Sequence, residues 1–426
     1  MEKLIKVLNA SPINDYKIQV THSESVELFY VLNKLETNRA TNIDEVEVTI
    51  YVDVEGKRGQ ASFDYYPYMK EEEIKEVIAK KIYAAKFALN PFFEIPAKTD
   101  KKPLEIESNL KNYSLREASE KVVRALLKAK QYDEALFSAT EIFITKKDVR
   151  ILNSKGVDVS STSYKGFIEF IPSWEKDGEE VETYNNLEFS TLDEEELTKI
   201  IDEYVLLTKA RFEATKLKLD KPVKVILEGE DVYKYFNYFV SNTSYPYIYQ
   251  HMNRFELGDH TQGEEISGTK LNISLIPEHE GCAASCAFDS DGVILEPIQI
   301  IKDGVAINRH GPFRFGYYLN EKNPTGQLPI LKVEAGTKSF NEMKKEPYLR
   351  CVKFSSFQNE QFSGFFGGEV RLGFYFDGEK EIPVTGFSIA GNINDAKGKT
   401  ILSKETQINA RYVGPMYLEI KDMGIN

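Results

Sequence analysis

Asp-Gly turns set between short apolar runs, concentrated in the last third of the chain, constrain the fold more than any other feature. The runs read Phe288-Asp289-x-Asp291-Gly292-Val293, Ile300-Ile301-Lys302-Asp303-Gly304-Val305 and Gly373-Phe374-Tyr375-Phe376-Asp377-Gly378-Glu379. Phe362-Ser363-Gly364 precedes the last of these, and Pro383-Val384-x-Gly386-Phe387-Ser388-Ile389-Ala390-Gly391-Asn392 follows it. Gly and Asp tolerate the positive φ that a tight hairpin demands, so each run reads as a strand closed by a turn. From Leu271 onward Gly, Pro, Asn and Asp keep recurring between short apolar segments, the spacing of an antiparallel sandwich or barrel.

The first half reads differently, as an α+β pattern given twice. Glu2–Leu8 opens the first copy as a helix, Val46, Val48, Ile50, Val52 and Val54 alternate as a strand with one buried face, and Lys70-Glu71-Glu72-Glu73-Ile74 opens a second helix that ends before Pro91. In the second copy Ser114–Lys130 reads as a helix, with Ser114 and Glu117 spaced as a capping box. Strands follow at Leu136–Ile144, Val157–Ser163 and Phe167–Pro172, and Asp193-Glu194-Glu195-Glu196-Leu197 opens a helix running to about Leu217. Acidic first turns suit the positive end of the helix dipole. The Pro-, Lys- and Asp-rich stretch between the copies reads as a linker, and Lys216–Lys221 as a second boundary. The expected organisation is a first subdomain over 1–92, a linker over 93–112, a second subdomain over 113–217, and a β-rich domain over 222–426 that starts with strand Val223–Leu227 and helix Glu230–Ser241.

A net charge of −13 argues against nonspecific nucleic-acid binding, which needs a Lys/Arg surplus to neutralise phosphate. Met1-Glu2-Lys3-Leu4-Ile5-Lys6 has no apolar leader core, and no apolar run approaches the ~18 residues of a membrane span. Three cysteines without a framework fit a reducing cytoplasm.

Few motifs carry chemistry. His279-Glu280-Gly281-Cys282-x-x-x-Cys286 offers an imidazole and two thiols at a spacing that could hold zinc, but lacks a fourth ligand in sequence; a loop with two unpaired thiols is the plainer reading. Gly398-Lys399-Thr400 ends like a phosphate-binding loop, but Ile393 stands where its first glycine belongs. Gly386-Phe387-Ser388-Ile389-Ala390 lacks the second glycine of a nucleophile elbow. The stretch Tyr233–Tyr249 is crowded with aromatics, and Tyr235, Tyr238, Tyr245, Tyr247 and Tyr249 could line a peptide groove or could pack a core.

Taken together, the turn constellation resembles the C-terminal domain of the TldD/PmbA family, named for gyrase modulation and tied to peptide maturation. Asn153-Ser154-x-Gly156 and Gly56-x-x-Gly59-x-Ala61, followed by the helix at Glu71, extend the resemblance to the first half. Asp291 departs from the glutamate of the usual turn, and the stretch Gly281–Cys286 is unusual. Active members of the family are zinc peptidases with His-Glu-x-x-x-His on the helix after the opening strand and a late cysteine as third ligand. The corresponding positions are Asn237, Tyr238 and Asn242, no His or Cys lies between Val223 and Gln250, and the last cysteine is Cys351. The resemblance therefore implies the PmbA, or TldE, branch: a subunit without cofactor or catalytic residues, with zinc expected only in a partner. It further implies a homodimer, or a heterodimer with a zinc-bearing TldD-like subunit, built through the C-terminal domain and acting on unfolded peptide held by strand addition. Two alternatives stay open, a homodimeric peptide-binding scaffold and an enzyme using His279, Cys282 and Cys286.

Overall fold

The structure is a computed structural model that describes residues 1–129, 132–219 and 221–425. Lys130, at the expected end of the second-copy helix, Asp220, in the expected boundary, and Asn426, at the expected end of the last domain, lie outside the described residues.

The two copies share one antiparallel sheet. Strands β1 (Asp15–Val31), β2 (Lys34–Val54) and β3 (Lys57–Asp64) come from the first copy. Strands β4 (Ala135–Asn153) and β5 (Asp158–Lys176) come from the second. They lie in the order β3-β2-β1-β4-β5, with short strands at both edges. The seam is the β1–β4 ladder, which runs from Lys17 opposite Asn153 to Val31 opposite Ala139. Expected as two strands, Val157–Ser163 and Phe167–Pro172 are one. The polar Tyr164-Lys165-Gly166 interrupts the apolar alternation, but β4 supplies an unbroken ladder opposite it, and the ring of Phe189 fills the space a side chain on Gly166 would occupy.

Helices α1 (Glu2–Ala10) and α2 (Glu71–Ala85) cover the first copy, where Leu4, Leu8, Ile18, Val48, Ile50, Ile74 and Ile78 form a core. Helices α3 (Leu115–Ala129) and α4 (Glu194–Glu213) cover the second, over Val122, Leu126, Ile142, Ile168, Phe170, Ile201 and Val205. Each such buried aliphatic side chain contributes about 1.5–3 kcal/mol relative to exposure. The capping box is present: Ser114 N–H donates to Glu117 Oε2 at 2.8 Å and Glu117 N–H to Ser114 Oγ at 3.2 Å. Asp193 caps α4 through the N–H groups of Glu195 and Glu196.

The expectation of a single buried face on β2 falls short of what forms. Tyr51, on the opposite face from Val48 and Ile50, is buried too, under Phe93 and Ile95 of the linker and Tyr317 and Tyr318 of the C-terminal domain. The linker is thus a packed strap rather than a loose spacer.

In the C-terminal domain β6 (Val223–Glu228), β7 (Tyr348–Phe354), β8 (Phe365–Phe376), β9 (Phe387–Asn392) and β10 (Tyr417–Ile425) close on themselves. β6 pairs with β7 and β10, β10 with β9, β9 with β8, and β8 with β7, so the sheet is a five-stranded barrel. All its pairings are antiparallel except β6–β7. Asp303 and Gly304, both at positive φ, close the hairpin between Ile298–Lys302 and Val305–Ala306 as the sequence implies. No helix among the described residues is long and apolar enough to cross a membrane.

Candidate functional site

Helix α5 (Glu230–Asn242) follows β6 through Gly229, whose φ of +64° turns the chain sharply between strand and helix. Its Val232, Tyr235, Phe236, Tyr238, Phe239 and Asn242 are all buried against the domain's interior, while Glu230, Lys234, Asn237 and Ser241 form a less buried polar stripe. The Tyr235 ring sits edge-on to Phe366, and its hydroxyl lies 3.1 Å from Thr400 Oγ1. Tyr238 packs edge-on to Phe255 and donates its hydroxyl hydrogen to Asn394 Oδ1 at 2.7 Å. Burial raises the pKa of both phenols, so both remain donors at neutral pH.

Asn242, one turn on, has no exposed surface. Its amide nitrogen donates to the carbonyls of Tyr238 and Gln361, both at 2.8 Å, and its Oδ1 accepts the backbone N–H of Arg254 at 2.8 Å. The loop bearing Asn394 is built by Asn392, whose Oδ1 accepts the Asn394 N–H and caps the short helix Ile393–Ala396. Asn394 in turn donates to the Ser363 carbonyl at 3.2 Å. Gly364 makes this convergence possible. It sits at φ +82°, and a Cβ there would stand 2.7 Å from Asn394 Nδ2 and 2.9 Å from Asn392 Oδ1. The sequence signatures Phe362-Ser363-Gly364 and Gly391-Asn392 therefore meet on one point of α5, next to Tyr238.

The residues present do not fit a metal. Asn237, Tyr238 and Asn242 are the positions expected, from the resemblance, to correspond to the zinc motif, and Tyr238 and Asn242 spend their polar atoms on protein partners. Among the described residues no group of three or more His, Cys, Asp or Glu is placed to hold a metal ion. The alternative cluster is not brought together as a ligand set either. His279 Nδ1 lies 2.8 Å from the Glu280 carbonyl, the Cys282 thiol is fully buried with its pKa pushed up to about 12 by burial, and that of Cys286 is pushed up to about 11. Thiolate is the form that binds zinc, and both sites favour the thiol.

Of the five tyrosines considered as groove lining, three are corrected to core residues of this chain. Tyr235, Tyr238 and Tyr245 are 1%, 0% and 2% exposed, because the barrel strands and the helix Phe313–Tyr318 enclose them. Tyr247 is half-buried, and Tyr249 is exposed, stacked on Tyr318 with ring centroids 4.9 Å apart. Residues that sequence reasoning missed are Asn394, Arg254 and Lys397. Arg254 Nε donates to the Phe362 carbonyl at 2.9 Å, and Lys397 Nζ lies 3.4 Å from Asn394 Oδ1. Asn394 and Lys397 stood in sequence only as part of the 394–400 segment that ends like a phosphate-binding loop and reads as a turn, and Arg254 carried no signal.

The Asp289-x-Asp291-Gly292 turn has a different task. Asp289 accepts the N–H groups of Asp291, Val293 and Gln327 at 2.9–3.0 Å and so fixes the loop. Asp291 then pairs with Lys17 of β1 at 2.9 Å, while Ala287 and Phe288 pack on Ile151, Val157 and Val159. A Cβ on Gly292 would stand 2.8 Å from Val157 Cγ1. The turn joins the C-terminal domain to the shared sheet.

Residues 220–426 match the family profile of the PmbA/TldA metallopeptidase C-terminal domain. No curated protein matches the sequence. Among solved structures, TldE from Thermococcus kodakarensis superposes with a TM-score of 0.80 at 16% identity, covering 100% of this chain and 99% of that one. A Thermotoga maritima protein described as a candidate modulator of a DNA gyrase gives 0.80 at 16% identity over the same shares. A Bacteroides thetaiotaomicron protein described as a candidate modulator of DNA gyrase gives 0.81 at 14% identity, covering 100% and 97%. Residues 220–426 thus carry the C-terminal domain of the PmbA/TldA metallopeptidase family, and the fold of the whole chain matches the TldE and gyrase-modulator structures.

Proposed function

We propose that this protein is the non-catalytic, TldE-like subunit of a peptide-processing complex. In this reading it lines a chamber for unfolded peptide and pairs with a zinc-bearing TldD-like subunit that performs the hydrolysis. The observation that carries it is the set Tyr238, Asn242 and Asn394, where neutral side chains hydrogen-bond one another and the surrounding backbone at the position the resemblance assigns to the zinc motif. Without a metal-bound water or an activated nucleophile, this chain has no visible route to amide hydrolysis. The fold shared with the Thermococcus TldE supports the same branch. A cytoplasmic setting is consistent with three free cysteines, and the net charge of −13 speaks against a role on DNA.

The test is reconstitution. Mixed with a family member that carries His-Glu-x-x-x-His, the chain should form a stable complex that degrades an unfolded polypeptide and stops on addition of chelator. Alone it should leave the polypeptide intact. Chelator-insensitive cleavage by the lone chain would overturn the proposal.

A further inference from the structure

Several cations that are partly buried in this protein have acidic partners. Arg58 pairs with Asp15, Lys338 with Glu419, Arg350 with Glu228 and Lys234 with Asp231. Such pairing is expected, because a cation taken out of water without a counter-charge is costly. Beside the Tyr238–Asn394 hydrogen bond stand two cations that have no acidic partner among the described residues, the half-buried Lys397 and the exposed Arg254.

Lys397 is half-buried. Its Nζ lies 5.2 Å from the centre of the Phe255 ring, and Asn394 Oδ1, at 3.4 Å, is its one polar side-chain contact among the described residues. Burial lowers its pKa with no acidic group offsetting the effect. Its backbone is held, since its N–H donates to Ile393 and its carbonyl accepts from Gln262 Nε2 at 2.9 Å. Arg254 stands on the other side, close enough for its charge to act on the Tyr238 hydroxyl. Its N–H is fixed by Asn242, its Nε by the Phe362 carbonyl, and its guanidinium lies 4.4 Å from the centre of the Phe362 ring. The remaining guanidinium donors have no hydrogen-bond partner among the described residues. Neither cation has a carboxylate within 4 Å among them. Glu360, the acid on the same loop, accepts from Ser363 Oγ and acts on Tyr247 instead. Phe362, whose ring lies under the Arg254 guanidinium, and Phe365 remain exposed, at 44% and 37%.

We propose that Arg254 and Lys397 form a carboxylate-binding subsite, with Phe362 and Phe365 as the apolar surface beside it. A guanidinium held at Nε and stacked on a ring presents its outer donors in the fork geometry that matches a carboxylate. The half-buried ammonium supplies the second charge. The ligand class is a carboxylate on unfolded peptide, either its C-terminal group or an Asp or Glu side chain. This rests on the peptide-binding reading above.

The experiment measures binding of fluorescein-labelled, unstructured peptides to the full chain by fluorescence anisotropy. One peptide ends in a free carboxylate, a second of the same sequence in an amide, and a third in an amide with one internal Gln changed to Glu. The carboxylate peptide should bind ~10-fold or more tightly than the neutral amide. Binding by the Glu-containing amide would assign the subsite to side chains, and its absence to the peptide terminus. The Arg254→Gln/Lys397→Met double variant, which keeps both stems, should lose the difference and bind the neutral amide as before; Arg254→Lys should retain part of it. Equal binding of all three peptides by the unaltered chain would overturn the subsite and leave the peptide reading standing. Binding of none of them would overturn both.

Discussion

Tyr238 donates its hydroxyl hydrogen to Asn394 Oδ1 across 2.7 Å, joining two residues 156 positions apart in the chain. The bond ties the buried helix α5 to the loop after β9. Here the connection is neutral, and its contribution is measurable. Replacing Tyr238 with Phe keeps the ring against Phe255 and removes only the hydroxyl, so the cost should be about 1 kcal/mol. Asn242→Ala should cost more, about 2–3 kcal/mol, because it strands the Gln361 carbonyl and the Arg254 N–H around a fully buried position. Denaturant midpoints of the two variants check the order. A Tyr238→Phe loss exceeding that of Asn242→Ala would contradict the network described.

Gly364 is required by the same convergence. Gly364→Ala imposes a side chain at φ +82° and pushes on Asn392 and Asn394. Its expected cost is about 1–3 kcal/mol, seen as a lower thermal midpoint. Gly378→Ala serves as the control, since its Cβ would meet only Pro347 at 3.8 Å, though its own positive φ still carries a penalty.

His310 makes stability depend on pH. It is buried, its Nε2 donates to the Val240 carbonyl at 2.9 Å, and its Nδ1 has no partner. Burial lowers its pKa from 6.5 to about 4. Between those values the unfolded chain takes up a proton that the folded chain refuses, so stability falls as pH drops through 6.5 and stops falling near 4. The full effect is on the order of 3 kcal/mol. Thermal midpoints of the unaltered chain and His310→Gln, compared at pH 7.5 and pH 5, should show the unaltered chain losing more. Parallel losses would mean His310 does not stay neutral in the fold.

The turn at Asp291 should govern how the halves stay together. Lys17–Asp291 is partly shielded, and Gly292 leaves room for Val157 and Ile151. Gly292→Val should therefore prise the C-terminal domain from the sheet. Limited proteolysis should then cut the strap over residues 97–105 at least ~10-fold faster than in the unaltered chain, since opening there is what exposes it. An unchanged digestion rate would mean that Phe93, Ile95 and the aromatic contacts around Tyr318 hold the junction without the turn.

Much of this was legible residue by residue. Ser114 with Glu117, Asp193 before its acidic run, and Asp303-Gly304 are local devices whose geometry is dictated within a few positions, and each appears as read. Strand β5 was not legible as one element, because what carries it through Tyr164-Lys165-Gly166 is a ladder to β4 rather than its own propensity. The tyrosines of α5 could not be assigned from spacing. Tyr235 and Tyr238 lie off the polar stripe Glu230, Lys234, Asn237 and Ser241, and residues there look the same in sequence whether they line a groove or fill a core. The site of Arg254 and Lys397 was not legible, because only the fold brings residues 242, 254, 362 and 394 together.

Metal content decides most directly whether this helix has exchanged a zinc site for a hydrogen-bonded one. The purified chain, equilibrated with zinc and then dialysed, is to be measured by plasma mass spectrometry. Ligand number and charge set zinc affinity, and neither Tyr238 nor Asn242 supplies them, so zinc should fall below ~0.1 per chain. About one zinc per chain, lost on changing Asn242 to Ala, would contradict it.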